Sequence, residues 1–122
     1  MTIDDLFTDK TEVHSVRAGQ ALFRQGEPGD VMYVLITGTA DILVGDKVIE
    51  SAGAGEFLGE MALVDSGPRA ATVIAATDCR LVPIDVERFH LLVREAPHFA
   101  TEVMKTMARR LRKIDRKVEQ AG

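Results

Sequence analysis

The chain of 122 residues is 46% hydrophobic and 28% charged, a composition typical of one globular domain and far from that of disordered chains. Its longest apolar run has six residues, at positions 31–36, which excludes insertion into a membrane as a span, and Cys79 is its only cysteine, which excludes an internal disulfide. The net charge is −4, yet residues 97–122 carry 7 basic against 3 acidic side chains.

The first residues, MTIDD, lack the basic and apolar segments of a signal peptide, so we expect a cytoplasmic protein. Residues 3–7 are compatible with a short helical turn. Nine of the ten glycines then fall between Gly19 and Gly67.

Short segments rich in β-branched and aromatic residues lie between these glycines and just after them. They are residues 21–24, 31–37, 39–44, 47–51, 72–77 and 79–84. Short strands with glycine turns at this spacing predict a sandwich, jelly roll or barrel. Because no helix-length segment separates them, the pattern disfavours a parallel sheet with crossover helices. The fold class is therefore mainly β, with helices flanking the strands.

The last third of the chain has a helical pattern. Asp85 is a suitable N-cap for a helix over residues 86–95, and Pro97 suits the first position of a second helix. The second helix carries one apolar stripe at steps of three or four residues: Phe99, Val103, Met107, Leu111, Ile114 and Val118. This stripe has to be buried against the β-structure, against a second subunit in a homodimer, or against both.

The segment FLGEMALVDSGPRAATV, residues 57–73, holds the residues with the clearest chemistry. Gly59 permits close approach of a ligand to the backbone, and a helical turn after it would present free N–H groups. Arg69 is a fixed cation that can grip a phosphate, whereas Glu60 only accepts hydrogen bonds and therefore suits a hydroxyl group. These residues fit a phosphate joined to a sugar; the alternative is a surface Glu–Arg ion pair of little energetic value.

The same segment resembles the phosphate-binding cassette of cyclic nucleotide-binding domains, which occur in the catabolite activator protein, in kinase regulatory subunits and in cyclic-nucleotide-gated channels. A second match is GEPGDVMY, residues 26–33, with Gly38 further on. The resemblance extends over residues 13–110. It implies an eight-stranded β-roll at about 11–84, a short cassette helix and two C-terminal helices at about 85–120, together forming a single domain over 1–122.

The resemblance also implies roles for single residues. Glu60 would bind the ribose 2′-hydroxyl and Arg69 the cyclic phosphate, with backbone groups of the neighbouring small residues close by. The expected ligand-binding set is Gly59, Glu60, Met61, Ala62, Arg69, Ala70 and Ala71. In the family the last helix swings over the base, and Met107, Arg110 and Leu111 are in range as lid residues. Family members with alanine at the position of Ala70 tend to prefer cAMP, so cAMP is the expected ligand and cGMP the second candidate.

Two function classes remain after this reading. The first is a cyclic nucleotide receptor whose C-terminal helix rearranges on binding and signals to an effector protein or domain that the sequence does not identify. The second is an interaction or nucleic-acid-binding protein that uses the basic helix and keeps a vestigial pocket; one helix without a docking scaffold reads DNA poorly. His14, His90 and His98 are scattered, and no nucleophile pattern is present, so we expect no metal, no cofactor and no enzymatic activity.

Overall fold

A computed structural model of the chain describes residues 12–64 and 67–121, with the side chains of the last helix up to Asp115. The strands are β1 His14–Val16, β2 Ala21–Phe23, β3 Met32–Thr37, β4 Ala40–Val44, β5 Lys47–Ala52, β6 Phe57–Leu58, β7 Thr72–Ala75 and β8 Cys79–Ile84. The helical elements are a 3₁₀ helix Glu60–Leu63, α1 Val86–Glu95 and α2 His98–Ala121. The helical turn expected at residues 3–7 lies outside the described residues.

The strands form two four-stranded antiparallel sheets. Their orders are β1-β8-β3-β6 and β2-β7-β4-β5. Most strands that follow each other in the sequence therefore belong to different sheets. Two helices follow the last strand. The predicted fold class, a mainly β chain with an eight-stranded β-roll and two C-terminal helices, is confirmed.

Strand β3 connects the two hydrophobic cores of the molecule. Because side chains alternate along a strand, Leu35 packs into the core between the sheets, while Met32 and Val34 pack into a second core under the helices. The second core is closed by Phe99 of α2, whose ring meets the ring of Phe57 edge-on at 5.4 Å. The first half of α2 is thus held by apolar contacts.

Two strands were not resolved by the sequence pattern. β1 has three residues and β6 has two, which is too short to form a recognisable segment rich in β-branched and aromatic residues. β6 pairs with β3, with Tyr33 opposite Leu58. It is a strand because the start of the cassette lies beside β3 in the folded chain. The six strands predicted from the pattern are all present, with ends that differ by up to two residues.

The helix boundaries follow local chemistry. The Oδ1 atom of Asp85 accepts a hydrogen bond from the N–H of Arg88 at 2.8 Å, which confirms the predicted N-cap of α1. α2 begins at His98, one residue later than predicted, and the carbonyl of Pro97 accepts the N–H of Ala100 at 3.2 Å. Within the described part of the chain, no helix has the length and apolar character needed to cross a membrane.

The apolar stripe predicted along α2 is only partly buried. Val103 is buried, but the buried face then continues through Thr106 and Arg110 instead of Met107 and Leu111. Leu111 is 49% exposed. The reason is the surface that this half of α2 meets, since β5 and the cassette present carboxylates and a carbonyl that an arginine satisfies and a leucine does not.

Candidate ligand-binding site

A cleft of about 680 Å³, counted with its open mouth, lies between the cassette, the sheet of β2, β7, β4 and β5, and α2. Its lining residues are Phe23, Ile42, Ile49, Gly59, Glu60, Met61, Ala62, Gly67, Pro68, Arg69, Ala70, Ala71, Val73, Arg110 and Ile114. The walls are mainly apolar, and the charged groups that line it are Glu60, Arg69 and Arg110.

The two sequence motifs that matched the family meet at Arg69. The N–H of Arg69 donates to the carbonyl of Glu27 at 2.8 Å, and the carbonyl of Arg69 accepts the N–H of Gly26 at 2.9 Å. Pro28 and Pro68 form an isolated antiparallel bridge beside these bonds. The turn after β2 therefore fixes the backbone of Arg69, although more than 40 residues separate the two segments in the sequence.

The side chain of Arg69 lies on an aromatic ring instead of a carboxylate. Its guanidinium carbon is 4.1 Å from the centre of the Phe23 ring, and Nη1 has one long contact, 3.4 Å, to the carbonyl of Gly59. The residue is 8% exposed, and its Nε has no hydrogen-bond partner among the described residues. Nor do the ion pairs formed within the described ranges involve Arg69.

This environment makes Arg69 a cation in need of an anion. Burial lowers the pKa of its guanidinium from the ordinary value, and the Coulombic influence of Tyr33, Asp30 and Glu27 offsets that effect only in part. A buried charge is costly unless it is paired and hydrogen-bonded. An anion that enters the cleft and accepts a hydrogen bond from Nε supplies both the missing counter-charge and the missing hydrogen-bond acceptor.

The guanidinium of Arg69 occupies space that is free only because two neighbouring residues are glycines. A Cβ atom on Gly29 would stand 2.1 Å from Nε of Arg69, and one on Gly59 would stand 2.7 Å from Nη1 and 3.0 Å from the Phe23 ring. Gly59 also has φ +71, in the left-handed region that favours glycine. Any larger residue at either position would displace the guanidinium.

Glu60 is the acidic group of the cleft, and it is tied to α2. Its Oε2 accepts from Nη1 of Arg110 at 2.8 Å, and the same Nη1 donates to the carbonyl of Phe57 at 2.5 Å. Burial raises the pKa of the Glu60 carboxyl, and the charge of Arg110 partly offsets this rise. Arg110 is therefore the group that favours the ionised form of Glu60.

Arg110 also contacts a second carboxylate, that of Glu50 on β5. Its Nε donates to Oε2 of Glu50 at 2.6 Å, while Arg109 and Lys113 reach Oε1 at 2.9 and 3.0 Å. Although burial by itself raises the pKa of Glu50, the hydrogen bonds from these three cations lower it to about 2. Glu50 is ionised at neutral pH, and α2 is fastened to β5 through it.

All seven residues expected to bind ligand line this one cleft, as does Arg110 from the expected lid. The N–H of Ala62 donates to the carbonyl of Gly59 at 3.2 Å inside the 3₁₀ helix, so this group is already used. Met107 packs on the core under the helices and Leu111 is exposed; neither lines the cleft. Ile114, one turn beyond Arg110, lines it instead.

Sequence reasoning missed the walls of the cleft and the anchor of α2. Ile114 is part of the predicted apolar stripe. It lies four residues after Arg110 and thus on the same face of the helix, so the sequence is sufficient to predict its position beside Arg110. Phe23, Ile49 and Glu50 gave no signal, because each is an ordinary strand residue whose partner is distant in the sequence. Among the described residues, no group of three or more His, Cys, Asp or Glu is placed to hold a metal ion.

Comparison with known proteins agrees with the geometry. The model of the cyclic nucleotide-binding domain matches residues 13–96, and the chain belongs to this family. A cyclic nucleotide-gated potassium channel of Rhizobium etli is 39% identical over 95 residues, covering 78% of this chain and 26% of the channel. A cAMP-dependent protein kinase regulatory subunit of Eremothecium gossypii is 40% identical over 80 residues, covering 66% of this chain and 18% of the subunit.

The fold matches solved structures of the same family. The crystal structure of the Thermus thermophilus catabolite activator protein superposes with a TM-score of 0.73 at 28% identity, over 91% of this chain and 55% of that one. The chain thus spans about a quarter or less of the length of the two relatives above and about half of this activator.

Proposed function

We propose that this chain is a cyclic nucleotide receptor module and not an enzyme, with cAMP as the preferred ligand and cGMP as the weaker one. The observation that carries the proposal is Arg69, a buried cation lining the cleft whose Nε has no hydrogen-bond partner among the described residues. A cyclic phosphate supplies both the negative charge and the acceptor oxygens that this group requires.

The other lining residues receive roles consistent with this pairing. In the proposal Oε1 of Glu60 accepts the ribose 2′-hydroxyl while Oε2 keeps its bond to Arg110. Backbone groups of Gly59, Ala70 and Ala71 approach the phosphate, and Ile114 packs against the base. Arg110 then acts on the ligand through Glu60 and does not stack on the purine.

Ligand binding is tested by calorimetry and thermal unfolding with cAMP and cGMP. Ligand at a hundredfold excess over its dissociation constant should stabilise the fold by about 2.7 kcal/mol. Arg69→Ala should weaken cAMP binding by roughly 30- to 4,000-fold, since stranding a desolvated charge costs about 2–5 kcal/mol. Arg80→Ala is the matched control, because Arg80 is an exposed arginine outside the cleft. Binding within threefold of the parent in Arg69→Ala would refute the assignment.

We further propose that α2 is the element that rearranges. Arg110 and Ile114 both belong to α2 and line the cleft, so a bound ligand touches the helix directly. A ligand shifts α2 only by as much as it binds one arrangement more tightly than another. Hydrogen exchange over residues 103–115 should differ with and without cAMP, and identical exchange would contradict this step.

The partner of the module is proposed to be a second copy of this chain as well as an effector protein or domain. Met104, Met107 and Leu111 follow each other at steps of three and four residues, and Met104 and Leu111 are 59% and 49% exposed. This spacing is that of a helix–helix seam. Sedimentation should show a dimer that Leu111→Lys dissociates; a parent that is monomeric at high concentration would exclude it.

The structure gives less support to the nucleic-acid alternative. Arg109, Arg110 and Lys113 contact Glu50, so three of the cations of the basic helix already form ion pairs within the molecule. The cytoplasmic location expected from the sequence stays a prediction.

A further inference from the structure

Glu50 gathers three cations from one face of a single helix. Its carboxylate lies on β5 with 9% of the side chain exposed, and its contacts to Arg109, Arg110 and Lys113 are all 3.0 Å or shorter. β5 is an edge strand of its sheet. The cations come from two successive turns of α2, so one strand residue contacts the helix from Arg109 to Lys113.

These contacts secure the half of α2 that apolar packing reaches least. The first half is held in the core by Phe99 and Val103. Between residues 109 and 115, where its side chains are described, the helix meets the β-roll through Glu50, Glu60 and the carbonyl of Phe57, with Ile114 as an apolar contact in the cleft. The orientation of this half therefore depends on charge pairing.

Arg110 joins this anchor to the ligand cleft. Its Nε is bonded to Glu50, and its Nη1 is bonded to Glu60 at 2.8 Å. A guanidinium is planar and rigid, so a partner that fixes Nε also fixes the direction of Nη1. The bond to Glu50 therefore fixes the direction in which Arg110 donates to Glu60.

We infer that Glu50 is a positioning residue for ligand binding: it sets α2 over the cleft and orients Arg110 toward Glu60. This inference rests on the proposed function, because the effect on affinity passes through the site proposed to bind the ribose. Its structural part, the attachment of α2, is independent of any ligand. The alternative is that Glu50 contributes to folding stability alone.

Two measurements separate these alternatives. Glu50→Gln keeps the size of the side chain and removes its charge, and Glu56→Gln is the matched control because Glu56 approaches Arg109 at 3.8 Å without touching Arg110. Without added ligand, Glu50→Gln should speed hydrogen exchange over residues 109–115 and Glu56→Gln should not. Equal exchange in the parent and Glu50→Gln would overturn the inference.

The second measurement is cAMP affinity in a double-mutant cycle. Glu50→Gln and Arg110→Met should each weaken cAMP binding by about 5- to 150-fold, the usual range of coupling between sites. The loss in the double variant should be smaller than the product of the two single losses, since Glu50 acts in part through Arg110. Additive losses, or full affinity in Glu50→Gln, would show a stability role only and overturn the inference.

A milder variant protects the test against misfolding. Lys113 is one-third exposed, and Lys113→Gln removes one of the three cations without touching Arg110. It should change both exchange and affinity in the same direction as Glu50→Gln but less, and no change in either would count against the anchor. If the parent binds neither nucleotide at millimolar concentration, the proposed function fails, while the exchange comparison still decides whether Glu50 holds α2.

Discussion

The guanidinium of Arg110 donates to the carboxylate of Glu60 across 2.8 Å, with only 4% and 3% of the two side chains exposed. The two residues belong to α2 and to the cassette, so the position of the helix and the charge state of the cleft are linked. Breaking a buried pair by removing one partner costs about 3–5 kcal/mol. A ligand that alters the surroundings of Glu60 therefore acts on α2 through one shared arginine.

Gly59→Ala should weaken cAMP binding and destabilise the fold. Its Cβ would stand 2.7 Å from Nη1 of Arg69, which forces the phosphate-binding cation to move. Gly45→Ala is the control, because Gly45 also has positive φ, +64, with nothing within 4 Å of a Cβ. Both variants should lose about 1–2 kcal/mol of unfolding free energy through backbone strain, and only Gly59→Ala should lose affinity. Equal affinities in calorimetry would contradict the proposed place of Arg69.

Glu50 contributes to the free energy of unfolding at neutral pH, and this contribution is lost at acidic pH. Its pKa is about 2 in the folded protein against an ordinary value of 4.5, so its contribution is complete above about pH 4.5 and is lost as the pH falls toward 2. The contribution is on the order of 3 kcal/mol, because each pKa unit between 4.5 and about 2 corresponds to 1.36 kcal/mol. Urea unfolding from pH 6 to pH 2 should show Glu50→Gln less stable than the parent at pH 6, with the difference shrinking toward pH 2.

The opposite sign applies to Glu60, whose raised pKa favours the fold as the pH falls through it. Glu60 is present in both proteins, so the part of its effect that does not depend on Glu50 or Arg110 cancels when the parent is compared with Glu50→Gln. A difference in unfolding free energy that stays constant across this range would show that the three cations do not lower the pKa of Glu50.

The base preference should depend on Ala70. Ala70 has no hydroxyl group to pair with the amino group of guanine, so cAMP should bind more tightly than cGMP by roughly 2- to 12-fold, the value of one neutral hydrogen bond. Ala70→Thr should narrow the gap mainly by improving cGMP. Ala54→Thr, in an exposed turn outside the cleft, should leave the ratio unchanged. Competition titrations that rank cGMP first in the parent would overturn this prediction.

Ile114 and Leu111 should respond differently to truncation. Ile114 lines the cleft, so Ile114→Ala should weaken cAMP binding by about 5- to 30-fold, from roughly 1–2 kcal/mol of lost apolar contact. Leu111 is exposed on α2 and does not line the cleft, and Leu111→Ala should leave affinity within twofold by the same area argument. Equal losses in the two variants, measured by calorimetry, would mean that the helix lies differently over the ligand.

Much of the architecture was predictable because it depends on short-range patterns. The composition of the six predicted strand segments, the N-cap at Asp85 and the periodicity of α2 each depend on residues within a few positions of one another. The cassette is also a local feature, and its resemblance to the phosphate-binding cassette of the family assigns residues from Gly59 to Ala71 to one site. The strands and helices, in contrast, need only local composition, capping and side-chain periodicity.

Long-range packing decided the rest. Arg110 reaches Glu60 across 50 positions and Glu50 across 60, and such separations leave no periodic trace in the sequence. The amphipathic pattern places Leu111 and not Arg110 on the buried face of α2, because hydropathy treats an arginine as a solvent-facing residue. Only the tertiary structure shows that the surface beneath α2 is acidic, so that a buried arginine is stabilised there and the leucine beside it is left in solvent.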